Sequence, residues 1–212
     1  MELYHKIETV FERDENGSKK LIEGAFRNPT VKYLANNEWI FTEKIDGTNI
    51  RVHWDGHRVT FAGRNDGSSI PAHLVNKLNE LFMNTETEEL FEQKFGELPV
   101  TLYGEGYGVK IQNGGNYRKD VSFILFDVMI QGNWQPRESV ENIASCFGLE
   151  VVPVILRGTI QEAIDYVKTA PKSTIGTANM EGLVGRPAVE LQTRTGARVI
   201  VKIKVCDFER TN

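Results

Sequence analysis

Short runs that contain apolar residues are separated by polar, glycine-containing turns in the stretch from residue 39 to residue 67. Residues 39–41 and 50–52 read as strands on either side of Asp46 and Gly47, and the Asp-Gly pair at residues 55–56 leads into a further strand at residues 58–62. Because Asp-Gly pairs are typical of tight hairpin turns, this pattern predicts an antiparallel meander that ends at residues 63–67.

Later stretches carry the apolar spacing of helices. The apolar positions of four such stretches are Leu74, Leu78, Leu81 and Phe82; Leu90, Phe91 and Phe95; Val140, Ile143, Ala144 and Phe147; and Ile160, Ile164 and Val167. We expect Ser68 or Ser69 to cap the first of these helices. Thr159 and Glu162 predict a capping box at the fourth. Cys146 falls on the apolar stripe of the third helix, which indicates a small core residue.

The remaining strands complete the predicted fold. Residues 99–103 form a predicted strand that runs into the glycine-rich stretch 104–108, where we expect the glycines to turn the backbone and place Glu105. The nearly continuous apolar run 122–130 is typical of a buried central strand. Further strands are predicted at residues 150–156, 182–185 and 198–205. Strand meanders with helices inserted between them predict a single α+β domain with largely antiparallel sheets.

Composition and charge narrow the functional classes only slightly. Hydrophobic residues make up 40% of the 212 residues and charged residues 25%, as in ordinary globular proteins. The formal net charge is -4, so a nucleic-acid partner requires a local basic surface. Residues 186–210 have a basic bias, although a solvated sheet face is the commoner explanation of such a run. No segment resembles a signal peptide or a membrane span, so we expect a cytoplasmic protein with no membrane partner.

Most catalytic patterns are missing from the sequence. The four histidines are too scattered for a metal cluster, and the two cysteines lack metal-ligand spacing. Residues 104–106 match only a fragment of a phosphate-binding loop. The tetrapeptide 44–47, Lys-Ile-Asp-Gly, is on its own best explained as a strand lysine beside a hairpin turn.

The order of several short motifs is far more specific than any single one. The tetrapeptide 44–47 is followed by Arg64, Tyr103-Gly104-Glu105-Gly106, Phe123-Ile124-Leu125-Phe126-Asp127, Glu181-Gly182-Leu183-Val184 and Val201-Lys202-Ile203-Lys204. In this order and spacing, residues 40–205 resemble the covalent nucleotidyltransferases, which include polynucleotide ligases and messenger-RNA capping enzymes. The resemblance implies the nucleotidyltransferase fold, with largely antiparallel sheets, flanking helices and an ATP site between them.

Within that superfamily, three details resemble the ATP-dependent RNA ligase 2 and RNA-editing ligase family. These details are Glu43 directly before the lysine, Asn49 after the turn, and Ile111-Gln112 after the glutamate strand. One position departs from that pattern, because the best-known members have histidine where this chain has Asp46. Aspartate is typical there of DNA ligases and capping enzymes, and of some RNA ligases. A minimal ATP-dependent DNA ligase therefore remains an alternative, as does a non-catalytic module that binds nucleotides or RNA ends.

The resemblance implies a role for each motif. Lys44 is the implied nucleophile, and Lys202 and Lys204 are implied to assist it. Because these two lysines alternate along a strand, both side chains point to one face, where they would contact the triphosphate and disfavour protonation of Lys44. The implied ATP-binding residues are Glu43 for the adenine amine, Lys44, Ile45, Asn49, Arg64 for the ribose or reacting phosphate, Glu105, Phe126 for stacking on adenine, Glu181, Arg186 for the phosphates, Lys202 and Lys204. The implied metal ligands are Asp46, Glu105 and Glu181, whose oxygens suit Mg²⁺, with Mn²⁺ as the alternative.

These roles lead to the hypothesis of an ATP-dependent RNA ligase that acts in RNA repair or processing. Such an enzyme forms a lysyl-AMP intermediate, adenylates a 5′-phosphate end and joins it to a 3′-hydroxyl. The expected partner is RNA with these ends, including a nicked duplex. The sequence ends shortly after Lys204, so we expect one adenylyltransferase domain without an OB-fold or other C-terminal domain, helped by an accessory end-binding protein. The expected location is the cytoplasm, including that of a host cell if a virus encodes the protein.

Overall fold

A computed structural model describes residues 1–15 and 20–208. The chain divides into two compact units. The first unit comprises Met1–His5 and Asp46–Val152, and the second comprises Lys6–Ile45 and Pro153–Asn212. The chain therefore passes from one unit to the other directly after Ile45, within the tetrapeptide 44–47.

The described residues form thirteen strands and five α-helices, numbered here in chain order. The strands are β1 (Glu8–Thr9), β2 (Phe11–Arg13), β3 (Leu21–Phe26), β4 (Trp39–Glu43), β5 (Thr48–Trp54), β6 (Val59–Ala62), β7 (Val100–Gly108), β8 (Val121–Ile130), β9 (Asn133–Trp134), β10 (Glu150–Val151), β11 (Val154–Gly158), β12 (Gly182–Pro187) and β13 (Val201–Lys204). The helices are α1 (Pro29–Leu34), α2 (Ala72–Phe82), α3 (Thr85–Phe95), α4 (Arg137–Cys146) and α5 (Ile160–Lys168), with short 3₁₀ helices at Gly114–Asn116 and Val205–Asp207.

The second unit is built on a five-stranded sheet with the order β1-β13-β12-β4-β11. Its pairs are antiparallel except for β1 with β13, and β2 and β3 form a separate two-stranded sheet. Helix α5 contributes Ile160, Ile164 and Val167 to a core that also contains Trp39 and Leu183. The predicted capping box of α5 is confirmed, because Thr159 and Glu162 each bond the other's backbone N–H.

The first unit is built on a sheet with the order β10-β8-β7-β5-β6, in which β9 also pairs with β8. All pairs are antiparallel except β10 with β8. Side chains of α2, α3 and α4 form a core with one face of this sheet. The predictions of an α+β fold with largely antiparallel sheets and of a buried β8 are confirmed.

The predicted hairpin at Asp46 and Gly47 is wrong. Strand β4 pairs with β11 and β12, whereas β5 pairs with β6 and β7, so the Asp-Gly pair connects two different sheets. Four of the five residues of β4 are buried or nearly so, and a central strand of this kind needs a neighbour on each side. The second Asp-Gly pair, at residues 55–56, does lie in the predicted hairpin, between β5 and β6.

Smaller predictions also need correction. The glycines of residues 104–108 do not turn the chain but continue β7, where side chains at Gly104 and Gly106 would collide with Phe123 and Leu74. The predicted strand over residues 150–156 is divided between β10 and β11, which belong to different sheets.

Two side-chain assignments are wrong as well. Cys146 is exposed rather than in the core. Helix α2 begins after Pro71 without a side-chain cap from either predicted serine. No helix in the described part of the chain combines the length and hydropathy of a membrane-spanning segment. Arg210, at the end of the basic run, lies outside the described residues.

Candidate active site

Lys44 directly follows β4, and backbone pairing fixes its position in the second unit. Its N–H donates to the carbonyl of Gly182 at 2.9 Å, which extends the β4–β12 pairing by one residue. Its Nζ donates to Oε2 of Glu181 at 2.6 Å. The other oxygen of that carboxylate, Oε1, pairs with Nζ of Lys204 at 3.0 Å. Because Gly182 lies opposite Lys204 in the β12–β13 register, the sheet itself brings Glu181 between the two lysines.

Lys202 belongs to the same cluster but differs in its pairing. It lies two residues before Lys204 on β13, where the buried Val201 and Ile203 alternate with the two half-buried lysines. The prediction that both lysines share one face of the strand is therefore confirmed. Among the described residues, the Lys202 ammonium has no hydrogen-bonding or ion-pair partner. Burial lowers the pKa of Lys202, and the positive charges of Lys44 and Lys204 lower it further.

Lys204 titrates in the opposite direction. Burial acts to lower the pKa of Lys204, but the hydrogen bond and the negative charge of Glu181 outweigh it, so the pKa is raised. Three ammonium groups share one carboxylate in this cluster, and Asp207 adds a further negative charge that acts on Lys204. Such a group of half-buried lysines attracts a polyanion, and Lys202 is the one that has no partner to give up among the described residues.

Glu43, the last residue of β4, is 1% exposed, and its carboxylate accepts three hydrogen bonds. Oε1 accepts a short hydrogen bond from the Ser173 hydroxyl. Oε2 accepts from the Thr174 N–H at 3.0 Å and from the Thr174 hydroxyl at 2.6 Å. A buried carboxylate needs such donors to offset its desolvation. The residue predicted to bind the adenine amine is thus also an anchor for the segment that carries Ser173.

The other two predicted residues of this unit, Ile45 and Arg186, differ in burial. Ile45 is a core residue, 4% exposed. Arg186 lies in β12 opposite Ile40 and is half-buried.

Asp46 is the first residue of the longer segment of the first unit. Its backbone N–H donates to the Tyr117 hydroxyl at 3.3 Å, and its Oδ2 accepts from Nδ2 of Asn113 at 3.1 Å. Both partners lie in the loop between β7 and β8, which also contains Ile111 and Gln112. This loop therefore holds the Asp46 carboxylate through its Oδ2 atom.

Three predicted residues share one face of the first-unit sheet. Asn49 on β5 lies directly opposite Glu105 on β7, so both side chains project from the same face. Phe126 is the residue skipped in the β7–β8 register, between the pairs that Leu125 and Asp127 make. A bulge of this kind redirects a side chain. The Phe126 ring lies 5.0 Å from the ring of Tyr4 and nearly perpendicular to it.

Two side chains of the first unit carry unused hydrogen-bonding capacity. Oδ1 of Asn49 is buried and has no hydrogen-bond partner in the structure. Arg64 is exposed and has no ionic or hydrogen-bonding partner among the described residues. An orphaned buried acceptor and an unpaired guanidinium are the features expected of positions that bind a polar, anionic ligand.

The fit to a divalent cation is weaker. Nowhere in residues 1–15 and 20–208 do three or more His, Cys, Asp or Glu side chains form a group that could hold a metal ion. Each of Asp46, Glu105 and Glu181 still offers carboxylate oxygen, the donor that Mg²⁺ accepts while keeping several of its waters.

Comparison with known proteins identifies the class. The chain matches the RNA ligase family over residues 37–204, which is most of its length, and it belongs to that family. The match contains every predicted site residue.

Solved structures support the same fold. A Naegleria gruberi RNA ligase mutant with ATP and Mn is 16% identical, with a TM-score of 0.64 over 94% of this chain and 60% of that one. The apo form of another mutant of that enzyme is 16% identical, with a TM-score of 0.66 over 97% and 60%. The Naegleria gruberi RNA ligase with PPi is 17% identical, with a TM-score of 0.63 over 95% and 61%. The chain thus spans about three fifths of the length of these proteins and has their fold.

Five residues that support side chains within one unit or the other were not predicted. They are Asn113 and Tyr117, which bond Asp46; Ser173 and Thr174, which bond Glu43; and Arg51, which bonds Gly63 and Asp66 on either side of Arg64. None of them lies in the motifs that carry the resemblance. Asn113 and Tyr117 closely follow Ile111-Gln112, one of the details of the family resemblance. That pair of residues was the sequence signal that indicated a functional role for this loop.

Proposed function

We propose that residues 1–212 act as an ATP-dependent RNA ligase domain in which Lys44 is the nucleophile. The observation that carries this proposal is the bonding of Lys44 and Lys204 to the two oxygens of Glu181, with Lys202 unpaired beside them. A purely structural lysine cluster would be matched by acidic partners, whereas this one has an excess of positive charge.

In the first step, the Lys44 amine attacks the α-phosphorus of ATP. A nitrogen–phosphorus bond forms, the bond to the bridging oxygen breaks, and pyrophosphate leaves. The ammonium of Lys44 must first lose a proton, and the carboxylate of Glu181, at 2.6 Å, is the acceptor within hydrogen-bond reach. Lys202 and Lys204 stabilise the charge on the phosphates.

The remaining predicted residues complete the nucleotide contacts in this proposal. Phe126 stacks on adenine, Asn49 uses its free Oδ1 to accept a hydrogen bond from the nucleotide, and Arg64 and Arg186 bind phosphate or ribose oxygens. Ile45 supplies apolar contact, and Glu43 accepts from the adenine amine. A Mg²⁺ or Mn²⁺ ion, when bound, neutralises phosphate charge, and Asp46, Glu105 and Glu181 are its proposed oxygen donors, directly or through water.

The adenylate then moves to the 5′-phosphate of an RNA end, and the 3′-hydroxyl of a second end displaces AMP to form the phosphodiester. The proposed partner is RNA with these two ends, in a nick or held by an accessory protein, in RNA repair or processing. Family membership supports RNA, whereas Asp46 is the residue that favours a DNA strand.

The test measures the transfer of a label from the α-phosphate of ATP to the protein. Wild-type protein, Lys44→Ala and the exposed-lysine control Lys119→Ala are incubated with ATP labelled at the α-phosphate and Mg²⁺ or Mn²⁺. Wild type and Lys119→Ala are expected to carry label, and Lys44→Ala to carry none. A wild-type protein that binds ATP without becoming labelled under any of these conditions would be a non-catalytic module.

The choice of strand needs a second assay. Nicked duplexes that differ only in RNA or DNA at the 3′-hydroxyl side are offered to the adenylated protein. Faster sealing with RNA is the expected result, and preference for DNA at that position overturns the RNA assignment without affecting Lys44.

A further inference from the structure

Arg51 is an unusual residue of the first unit, since its side chain is 0% exposed and sits two positions beyond Asn49 on β5. Its guanidinium donates four hydrogen bonds. Nε donates to the carbonyl of Gly63 at 2.9 Å, and Nη2 to Oδ1 of Asp66 at 2.8 Å. Nη1 donates to the carbonyls of Met1 at 3.1 Å and Glu2 at 3.4 Å.

Burying an arginine is costly unless its donors are satisfied and its charge is paired. Within residues 1–15 and 20–208, the salt-bridge partner of Arg51 is Asp66, whose side chain is 83% exposed and therefore contributes little as a charge pair. The guanidinium thus depends mainly on backbone carbonyls. We expect those bonds to order the segments that contain Gly63, Met1 and Glu2.

The loop that receives two of these bonds presents Arg64. Gly63 on one side of Arg64 is held by Nε of Arg51, and Asp66 on the other side is held by Nη2. Between them, the Asn65 N–H donates to the Ser68 hydroxyl at 3.0 Å, and the Ser68 N–H donates back to the Asn65 carbonyl at 2.9 Å. The loop is fixed on both sides of Arg64, whose own side chain is left exposed and unpaired.

We propose that Arg51 is a positioning residue for Arg64: its buried guanidinium clamps residues 63–66 so that Arg64 is held ready for an oxyanion of the nucleotide or RNA. The role of Arg64 in this inference rests on the proposed function. Pre-ordering the loop removes the entropy cost of fixing Arg64 when the ligand binds, which is the general advantage of a preorganised site.

The first test is structural and needs no activity. Arg51→Met keeps the apolar stem and removes every donor, and Arg137→Met is the matched control, because Arg137 is also a largely buried arginine of the first unit that bonds a carbonyl, that of Val152. Amide hydrogen exchange at Ser68 is expected to rise by tenfold or more in Arg51→Met, on the order expected when a local hydrogen-bonded turn opens, and to stay unchanged in Arg137→Met. Unchanged exchange at Ser68 in both variants overturns the proposal.

The second test is a double-mutant cycle on the rates of self-labelling from ATP and of nick sealing. Arg51→Met and Arg64→Ala are each expected to lower at least one rate by about 10–100-fold, the usual cost of misplacing a reacting group. The double variant is expected to be no worse than Arg64→Ala, because Arg51 acts through Arg64. Multiplicative losses would mean that Arg51 acts only through global stability, and the proposal would then be wrong.

Asp66→Asn covers the case in which Arg51→Met does not fold. Its side chain is exposed, so the fold is expected to tolerate the change, and the loop exchange and the Arg64-dependent rate should shift in the same direction by a smaller factor. No shift in either would overturn the proposal. If the wild-type protein shows no labelling at all, the proposed function fails, while the exchange experiment still decides whether Arg51 orders the loop.

Discussion

The candidate functional side chains of the two compact units differ in how far they are already bonded to other protein groups. In the second unit, Lys44 and Lys204 already share Glu181, and Glu43 is held by Ser173 and Thr174. In the first unit, Arg64 has no partner among the described residues and Asn49 has a buried Oδ1 without a hydrogen bond, whereas the guanidinium of Arg51 donates four hydrogen bonds.

This difference has a chemical reason. A lysine nucleophile must change its protonation state during the reaction, and a bonded carboxylate controls that change. Groups that only bind a ligand need free hydrogen-bonding capacity and a rigid support.

Removing the shared carboxylate should have the largest effect. Glu181→Ala takes the partner from Lys44 and Lys204 at once, so three ammonium groups repel one another and the proposed nucleophile, Lys44, loses its proposed proton acceptor. Self-labelling from ATP is expected to fall on the order of 100–1,000-fold, as when a key electrostatic group is lost from an active site. A fall of less than about threefold would show that the Lys44–Glu181 pair is not part of the reaction.

Much of the candidate site was predictable from sequence, because the motifs that carry the family resemblance contain the charged side chains that the fold brings together. Lys44, Glu181, Lys202 and Lys204 form a real cluster, although Lys44 and Glu181 are separated by 137 positions. Strand pairing was harder, since the Asp-Gly pair after Lys44 suits a hairpin as well as the connection between sheets that it makes.

The supporting residues were not predictable at all. Ser173 reaches Glu43 across 130 positions, and Arg51 reaches the carbonyl of Met1 across 50. Serine, threonine and arginine accept many partners, and only the folded chain decides which carbonyl or carboxylate lies within reach. A motif therefore indicates candidates for the reacting groups but not the residues that hold them in place.

Loosening the Glu43 anchor should have an intermediate effect. The double variant Ser173→Ala, Thr174→Val leaves a buried carboxylate with one backbone donor, at a cost of about 1–3 kcal/mol for each lost partner. We expect a lower melting temperature together with weaker preference for ATP over GTP in self-labelling. Thr159→Ala, which removes only the cap of α5, is the control, with a stability loss of about 1 kcal/mol and unchanged base preference. Equal base preference in both variants would limit Glu43 to a structural role.

The smallest effect is a titration shift. Because the pKa of Lys202 is lowered in the folded protein, the folded state binds fewer protons than the unfolded state between that lowered value and 10.5. This lysine therefore makes stability rise as the pH rises through that window. Glu181 acts to raise the pKa of Lys202, so Glu181→Gln should lower it further, and it should lower that of Lys204 as well.

Lysine Cε chemical shifts, followed by carbon-13 NMR in wild type and Glu181→Gln, measure both shifts. Lys119→Ala, which removes an exposed lysine, is the control, and the Lys202 and Lys204 signals should titrate in it as they do in wild type. A Lys202 signal whose titration is unchanged by Glu181→Gln would contradict the arrangement of charges described for the second unit.

The most direct measurement of the central claim locates the adduct. Wild-type protein is incubated with ATP and Mg²⁺, digested, and its peptides are examined by mass spectrometry for covalently bound AMP. The account predicts AMP on the peptide that contains Lys44, attached to that side chain, and its loss when the intact adenylated protein is treated with pyrophosphate. AMP found on Lys202, Lys204 or any other residue, with Lys44 unmodified, would contradict it.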